Sequence, residues 1–199
     1  GQYLIPRLAA DQIRDAIVEP IRVSHAEITQ NLVDRLLSDL EDDQDQLPIM
    51  QHALMRTWDY WVDSNGQQNP IDEAHYEAIG TIKEALSQHA EEVYGELPDD
   101  EAKRITQILF KCLSDRTSNP RGGRRPTPLR EVCDVANAEP EAVKAVVEHF
   151  RCPGRWFLTP YPGVELREDT TRDLVHESLM RVWQQLRTWV EEEGASAVL

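Results

Sequence analysis

The chain has 199 residues, with 21 Lys and Arg against 36 Asp and Glu, a net charge of −15 at neutral pH. Leu, Val, Ile and Phe supply 48 of those residues, which excludes a disordered chain and is enough for one or two buried cores. The acidity is lopsided, because residues 1–100 carry 6 basic and 21 acidic side chains while residues 101–199 carry 15 of each. A uniform nucleic-acid-binding surface is therefore not expected, since holding a phosphate backbone requires clustered Lys and Arg. Cys112, Cys133 and Cys152 are an odd number without the close pairing of a zinc site, and are expected to be reduced and structural. No stretch approaches the ~20 apolar residues of a membrane span, and Gly1-Gln2-Tyr3-Leu4-Ile5-Pro6-Arg7 lacks a signal-peptide pattern. A cytoplasmic protein is the expectation. The apolar start without a methionine reads as the end of a strand, hence as a segment of something longer.

From Ala10 to Glu96 the pattern is helical. Ile13, Ile17 and Val18 give a first amphipathic helix over Asp11 to Glu19, expected to stop near Pro20. Thr29 is placed to cap a second helix whose apolar row is Leu32, Val33, Leu36, Leu37 and Leu40. The acidic run Glu41-Asp42-Asp43-Gln44-Asp45 follows it. Pro48 opens a third helix, where its missing N–H does no harm, and Met50, Ala53, Leu54, Trp58 and Trp61 form the buried stripe. Two further helices, Ile71 to Ile79 and Thr81 to Tyr94, are expected to break at Gly80.

A second module starts near Leu97. Acidic residues at 99–101 favour a helix N-terminus there, above a face of Ala102, Ile105, Ile108, Leu109, Cys112 and Leu113. Residues 118–128 have a loop composition, and Arg116, Arg121, Arg124, Arg125 and Arg130 cluster around them without aromatics, which favours a solvated, mobile loop over a phosphate-binding patch. Thr127-Pro128-Leu129 caps a short helix through Ala136, and Pro140 heads another with Val143, Val146, Val147 and Phe150 inward. The period then turns extended: Trp156 to Thr159, Val164 to Leu166 and Asp173 to Val175 read as short strands around a Pro160/Pro162-Gly163 turn. A last helix from His176 to about Glu193 carries Leu179, Val182, Trp183, Leu186, Trp189 and Val190 on one stripe. The expectation is a mainly α chain: a helical bundle over residues 1–96, then a winged-helix domain with a small β-hairpin over residues 97–199.

Four segments together are similar to the novel STAND NTPase family: Tyr3 to Leu8 with Gln12 to Ile17, Gln46 to Leu54, Glu84 to Tyr94, and Val175 to Trp183. These are signal-transduction ATPases related to the AP-ATPases, in which a P-loop core is followed by a helical domain and a winged-helix domain. The resemblance covers the last two. No G-x-x-x-x-G-K-[ST] occurs, and the acidic run at 41–45 lacks the apolar strand of a Walker B, so the segment alone is not expected to hydrolyse ATP. What the resemblance implies is an ATP- or ADP-binding, Mg²⁺-dependent parent whose N-terminal P-loop NTPase domain, in the same chain, is the partner of this segment. Homo-oligomerisation on activation is implied as well.

Leu47-Pro48 resembles the family's short proline motif, which packs beside the base and ribose of the nucleotide. A proline at a helix start is rigid and donor-free, suited to a ring, although such a proline also occurs with no ligand at all. Val175-His176-Glu177 stands where the AP-ATPases have Met-His-Asp, whose histidine contacts the ADP β-phosphate and holds the closed state. A helix-opening histidine near free backbone N–H groups suits a diphosphate; a buried structural histidine is the other reading. His52, His75 and His89 carry no metal spacing, and the tryptophans lie on apolar stripes. A protein-interaction scaffold with a degenerate core is the alternative function. DNA binding by the helix Glu139 to Arg151 is a third, and its charge argues against it.

Overall fold

The computed structural model describes residues 8–40, 47–64, 69–115 and 123–196, and its contacts divide the chain into two compact units, Gly1–Leu86 and Ser87–Leu199. The protein is mainly helical. The division falls within helix α5 (Thr81–Gly95), whereas the boundary expected from sequence follows Glu96. Among the described residues no helix is long and apolar enough to cross a membrane.

The N-terminal unit packs α1 (Ala10–Val23), α2 (Gln30–Leu40), α3 (Leu47–Asp63), α4 (Glu73–Ala78) and the start of α5. Its core is built from the expected stripes, with Ile17, Leu32, Leu36, Ala53, Trp61 and Tyr76 all nearly inaccessible. Thr29 caps α2 as expected, accepting from Leu32 N at 3.3 Å. Helix α1 does not stop at Pro20 but runs on to Val23 with the proline inside it. The carbonyl deprived of a partner belongs to exposed Ala16, where water can satisfy it, so the helix tolerates the ring. The break at Gly80 is present, with φ of 82° at Gly80 and 57° at Thr81. Tyr76 spans that turn: its hydroxyl accepts from Ile82 N at 2.8 Å and donates to Asp39 Oδ2 at 3.0 Å. A parallel bridge, Ile28 to Ile71, ties the α1–α2 connection to the α3–α4 connection.

The C-terminal unit is formed by the rest of α5, α6 (Asp100–Cys112), α7 (Leu129–Ala136), α8 (Pro140–Arg151), α9 (Leu179–Val182) and α10 (Gln184–Ser196). Asp99 caps α6 through Ala102 N at 2.8 Å, while α7 begins at Pro128 without a side-chain cap. The expected Thr127 cap is therefore corrected. Thr127 lies in strand β3 (Thr127–Pro128) and its hydroxyl donates to Cys112 O instead, because strand pairing turns it inward. β3 pairs antiparallel with β4 (Thr171–Arg172), and β1 (Ser114–Asp115) with β2 (Gly123–Arg124). An isolated Leu158 to Leu174 bridge joins the two segments read as strands around 156–159 and 173–175. Val164 to Leu166 is not a strand. Its backbone is occupied differently, since Arg151, only 2% exposed, donates from Nη1 to Pro160 O and Tyr161 O and from Nη2 to Val164 O, besides binding Glu148.

The single closing helix is also corrected. It splits at Trp183, whose ψ of 105° ends α9 before α10 starts. That kink sinks the fully buried indole into a ring cluster with Phe110 at 5.1 Å and Trp189 at 5.3 Å, and lets Nε1–H donate to Glu91 Oε1 at 2.7 Å. A buried tryptophan with a charged acceptor and edge-on aromatic partners outweighs one broken helical turn.

Candidate functional site

Leu47 and Pro48 form the first two positions of α3, as the proline signal predicts. Pro48 is exposed and Leu47 half-buried. Leu47 lines a cavity of about 460 Å³ in the N-terminal unit, together with Leu8, Pro20 and Ile21 from the α1 side and Leu54 and Trp58 from α3. Among the described residues none that lines it is charged; its polar members are Ser24, Gln51 and Thr57. The hydroxyl of Thr57 is already spent on Ala53 O at 2.8 Å. Such a wall can hold an apolar or aromatic ring and offers a phosphate nothing. Trp58, which the stripe places in the core, in fact lies half-buried on this wall. The acidic run just before Leu47 lies outside the described residues.

His176 belongs to the C-terminal unit and is described within it. It follows the Leu158 to Leu174 bridge, with Val175 N donating to Phe157 O at 3.0 Å. It does not open a long helix: α9 starts at Leu179, and His176 O merely accepts from Leu179 N at 3.1 Å. The expected row of free N–H groups beside the imidazole is thus not the feature that distinguishes this position. What does is enclosure: the ring is partly buried, its Nδ1 is shut away from water, and burial pushes the imidazole below its ordinary histidine value.

The residue that sequence spacing missed is Arg124. In the linear pattern it is one arginine in a loop of five, but β2 carries it to the segment around His176. There it donates to Leu174 O at 3.2 Å and pairs with Asp173 at 3.4 Å and Glu177 at 3.8 Å. Fifty residues of separation leave no periodic trace of that meeting. Arg125 is likewise committed, to Glu131 at 2.6 Å, so these two are not part of a freely solvated basic loop; Arg116 and Arg121 lie outside the described residues. Among the described residues no His, Cys, Asp and Glu group is arranged to hold a metal ion. The three cysteines are free and half-buried.

Against known proteins, the family model described as Novel STAND NTPase 1 matches residues 1–199, the whole length of the chain. No curated protein and no solved structure matches it. The order of helices, the proline-headed α3 and the Val175-His176-Glu177 segment fall within that full-length match, and the chain belongs to the novel STAND NTPase 1 family.

Proposed function

We propose that this chain is the regulatory part of a nucleotide-dependent signalling switch, and that its C-terminal unit is a winged helix. In this reading, it closes over ADP held on a P-loop domain of the same protein and swings away when ATP, with Mg²⁺, takes the place of ADP. The observation that carries the reading is the cavity under Leu47, whose described lining is apolar and carries no charge, beside exposed Pro48, in a chain matched end to end by a STAND family model. Its lining fits a base or ribose face, leaving the phosphates to the P-loop domain and its metal. His176 is the proposed phosphate-side contact of the closed state. Asp173 and Glu177 nearby oppose an anion, and Arg124 offsets them in part. Opening exposes surfaces for self-association in the intact protein.

DNA binding is the weaker reading. The two cations that α8 would turn to a major groove are engaged, Lys144 with Glu141 at 2.7 Å and Arg151 inside the protein with Glu148.

The test is ADP affinity of the intact protein carrying Leu47→Asp, which puts a charge on the wall of the cavity. The expected outcome is a loss of roughly tenfold or more, the cost of desolvating a carboxylate against a ring. Leu47 is only half-buried, so the unfolding midpoint of the 199-residue chain should move little. Unchanged ADP affinity would remove the Leu47-Pro48 contact from the account.

A further inference from the structure

We propose that the cleft between the start of α6 and the middle of α8 is a docking surface for a basic amphipathic helix of a partner protein. The cleft belongs to the C-terminal unit alone and encloses about 310 Å³. Its floor is Leu97, Ile105 and Val146, all buried. Three alanines surround the mouth: Ala102 and Ala142 are half-buried and Ala145 is exposed. Ala142, Ala145, Val146 and His149 follow the i, i+3, i+4, i+7 spacing of one face of α8, and Ala102 stands one turn before Ile105 on α6. Longer side chains at the alanine positions would close the gap between the two helices. Alanine instead leaves an apolar slot that an incoming side chain can fill.

Size and polar chemistry favour a side chain over a small molecule. Small-molecule cavities span roughly 300–1,000 Å³ and converge free polar groups on their ligand. This volume stands at the bottom of that range, and the polar side chains on the lining are already engaged. His149 Nε2 lies 2.8 Å from Val93 O and its Nδ1 lies 2.9 Å from Arg155 Nη1; Asp99 accepts from Ala102 N at 2.8 Å, and Glu101 binds Arg104 at 2.6 Å. An occupant therefore meets an apolar floor and a negative rim. A helix with apolar anchors three or four residues apart fits the floor. Charge gives the rest of its chemistry. Among the described residues the charged groups lining the cleft are Asp99 and Glu101, both carboxylates. Residues 96–105 and 139–149, which build it, hold seven Asp and Glu against three Lys and Arg. Two of those cations sit in surface pairs, Arg104 with Glu101 and Lys144 with Glu141, and such pairs contribute little and can exchange for a partner's cation. Lys or Arg beside the anchors is attracted to this rim, whereas a phosphate backbone is repelled.

The test titrates the 199-residue chain, at about 0.15 M salt, with a synthetic amphipathic helix of leucine and lysine and with its counterpart carrying glutamate for lysine. The lysine peptide should shift the backbone amide resonances of Ala102, Ala145 and Val146, and the glutamate peptide should leave them in place. A basic peptide is attracted to an acidic chain in general, so two substitutions of equal charge separate docking from that attraction. Ala145→Arg, at the mouth, should weaken the lysine peptide about tenfold or more, and Val135→Arg, exposed on α7, less than about threefold. Ala142→Leu fills the slot without a change of charge and should weaken it as well. Shifts centred elsewhere, equal binding of the two peptides, equal effects of the two arginine variants, or a DNA duplex shifting these amides where the lysine peptide does not, would each overturn the proposal. Should Ala145→Arg fail to fold, the place of the shifts on the wild-type chain decides by itself.

Discussion

Arg151 concentrates more bonding than any other side chain described in the C-terminal unit, with Glu148 and three loop carbonyls on one guanidinium. Its replacement by Met leaves those loop carbonyls without their donor, at a cost of about 1–3 kcal/mol for an unsatisfied polar group, while the half-exposed Glu148 returns to water. Urea denaturation should register that loss, and Arg151→Lys should recover less than half of it, since an ammonium cannot fork to partners on opposite sides. Arg172 lies alongside, fully buried and pushed down to about 10 by burial and by Arg151, which still leaves it charged at neutral pH. Tyr76→Phe removes a hydroxyl that serves two partners and should cost about 1–3 kcal/mol by the same measurement. His176 carries a pH signature. Burial lowers its folded value, so the buried ring costs the fold nothing by titration above the ordinary histidine value of ~6.5 and erodes stability as pH falls from there toward the lowered folded value. His176→Gln should flatten that part of the stability profile between pH 7.5 and 5.5. An unaltered slope would contradict the burial argument.

At the scale of elements, what was legible in the sequence is what rests on local rules. The apolar rows of α2, α3 and α6, the Thr29 cap, the acidic start of α6, the helix-starting Pro48 and the break at Gly80 are each decided within a few residues of chain. The failures share a long-range cause. Trp183 breaks the last helix because Phe110 and Glu91, far along the chain, receive it; Val164 to Leu166 is no strand because Arg151 takes its backbone; Thr127 turns to Cys112 instead of capping α7. Arg124 meets the His176 segment for the same kind of reason. The Leu47-Pro48 and His176 positions were readable from motif likeness, whereas the cavity under Leu47 needed α1 and α3 side by side. Pro20 gives a prediction at this scale. An interior proline costs a helix about 3 kcal/mol, offset by roughly 1 kcal/mol through the stiffer unfolded chain, so Pro20→Ala should stabilise the protein by about 2 kcal/mol. A lower unfolding midpoint would show that the ring's place on the cavity wall matters more than the helix.

For the whole molecule, the uneven charge argues against a nucleic-acid-binding surface. The acidic excess lies in residues 1–100, while the other half is balanced. A switch needs contacts that exist in one state only, because a ligand moves an equilibrium by no more than its differential affinity for the two states. In the proposed closed state those contacts are the ring surface at Leu47-Pro48 and the imidazole of His176. The measurement that tests this most directly is the ADP affinity of the intact protein with His176→Gln, paired with thermal unfolding of the 199-residue chain carrying the same substitution. A hydrogen bond to a charged group is worth ~1.5–3 kcal/mol, so ADP should bind about ten- to hundredfold more weakly while the unfolding midpoint at pH 7.5 stays nearly unchanged. A destabilised chain with unchanged ADP affinity would contradict the account and leave His176 as a structural residue.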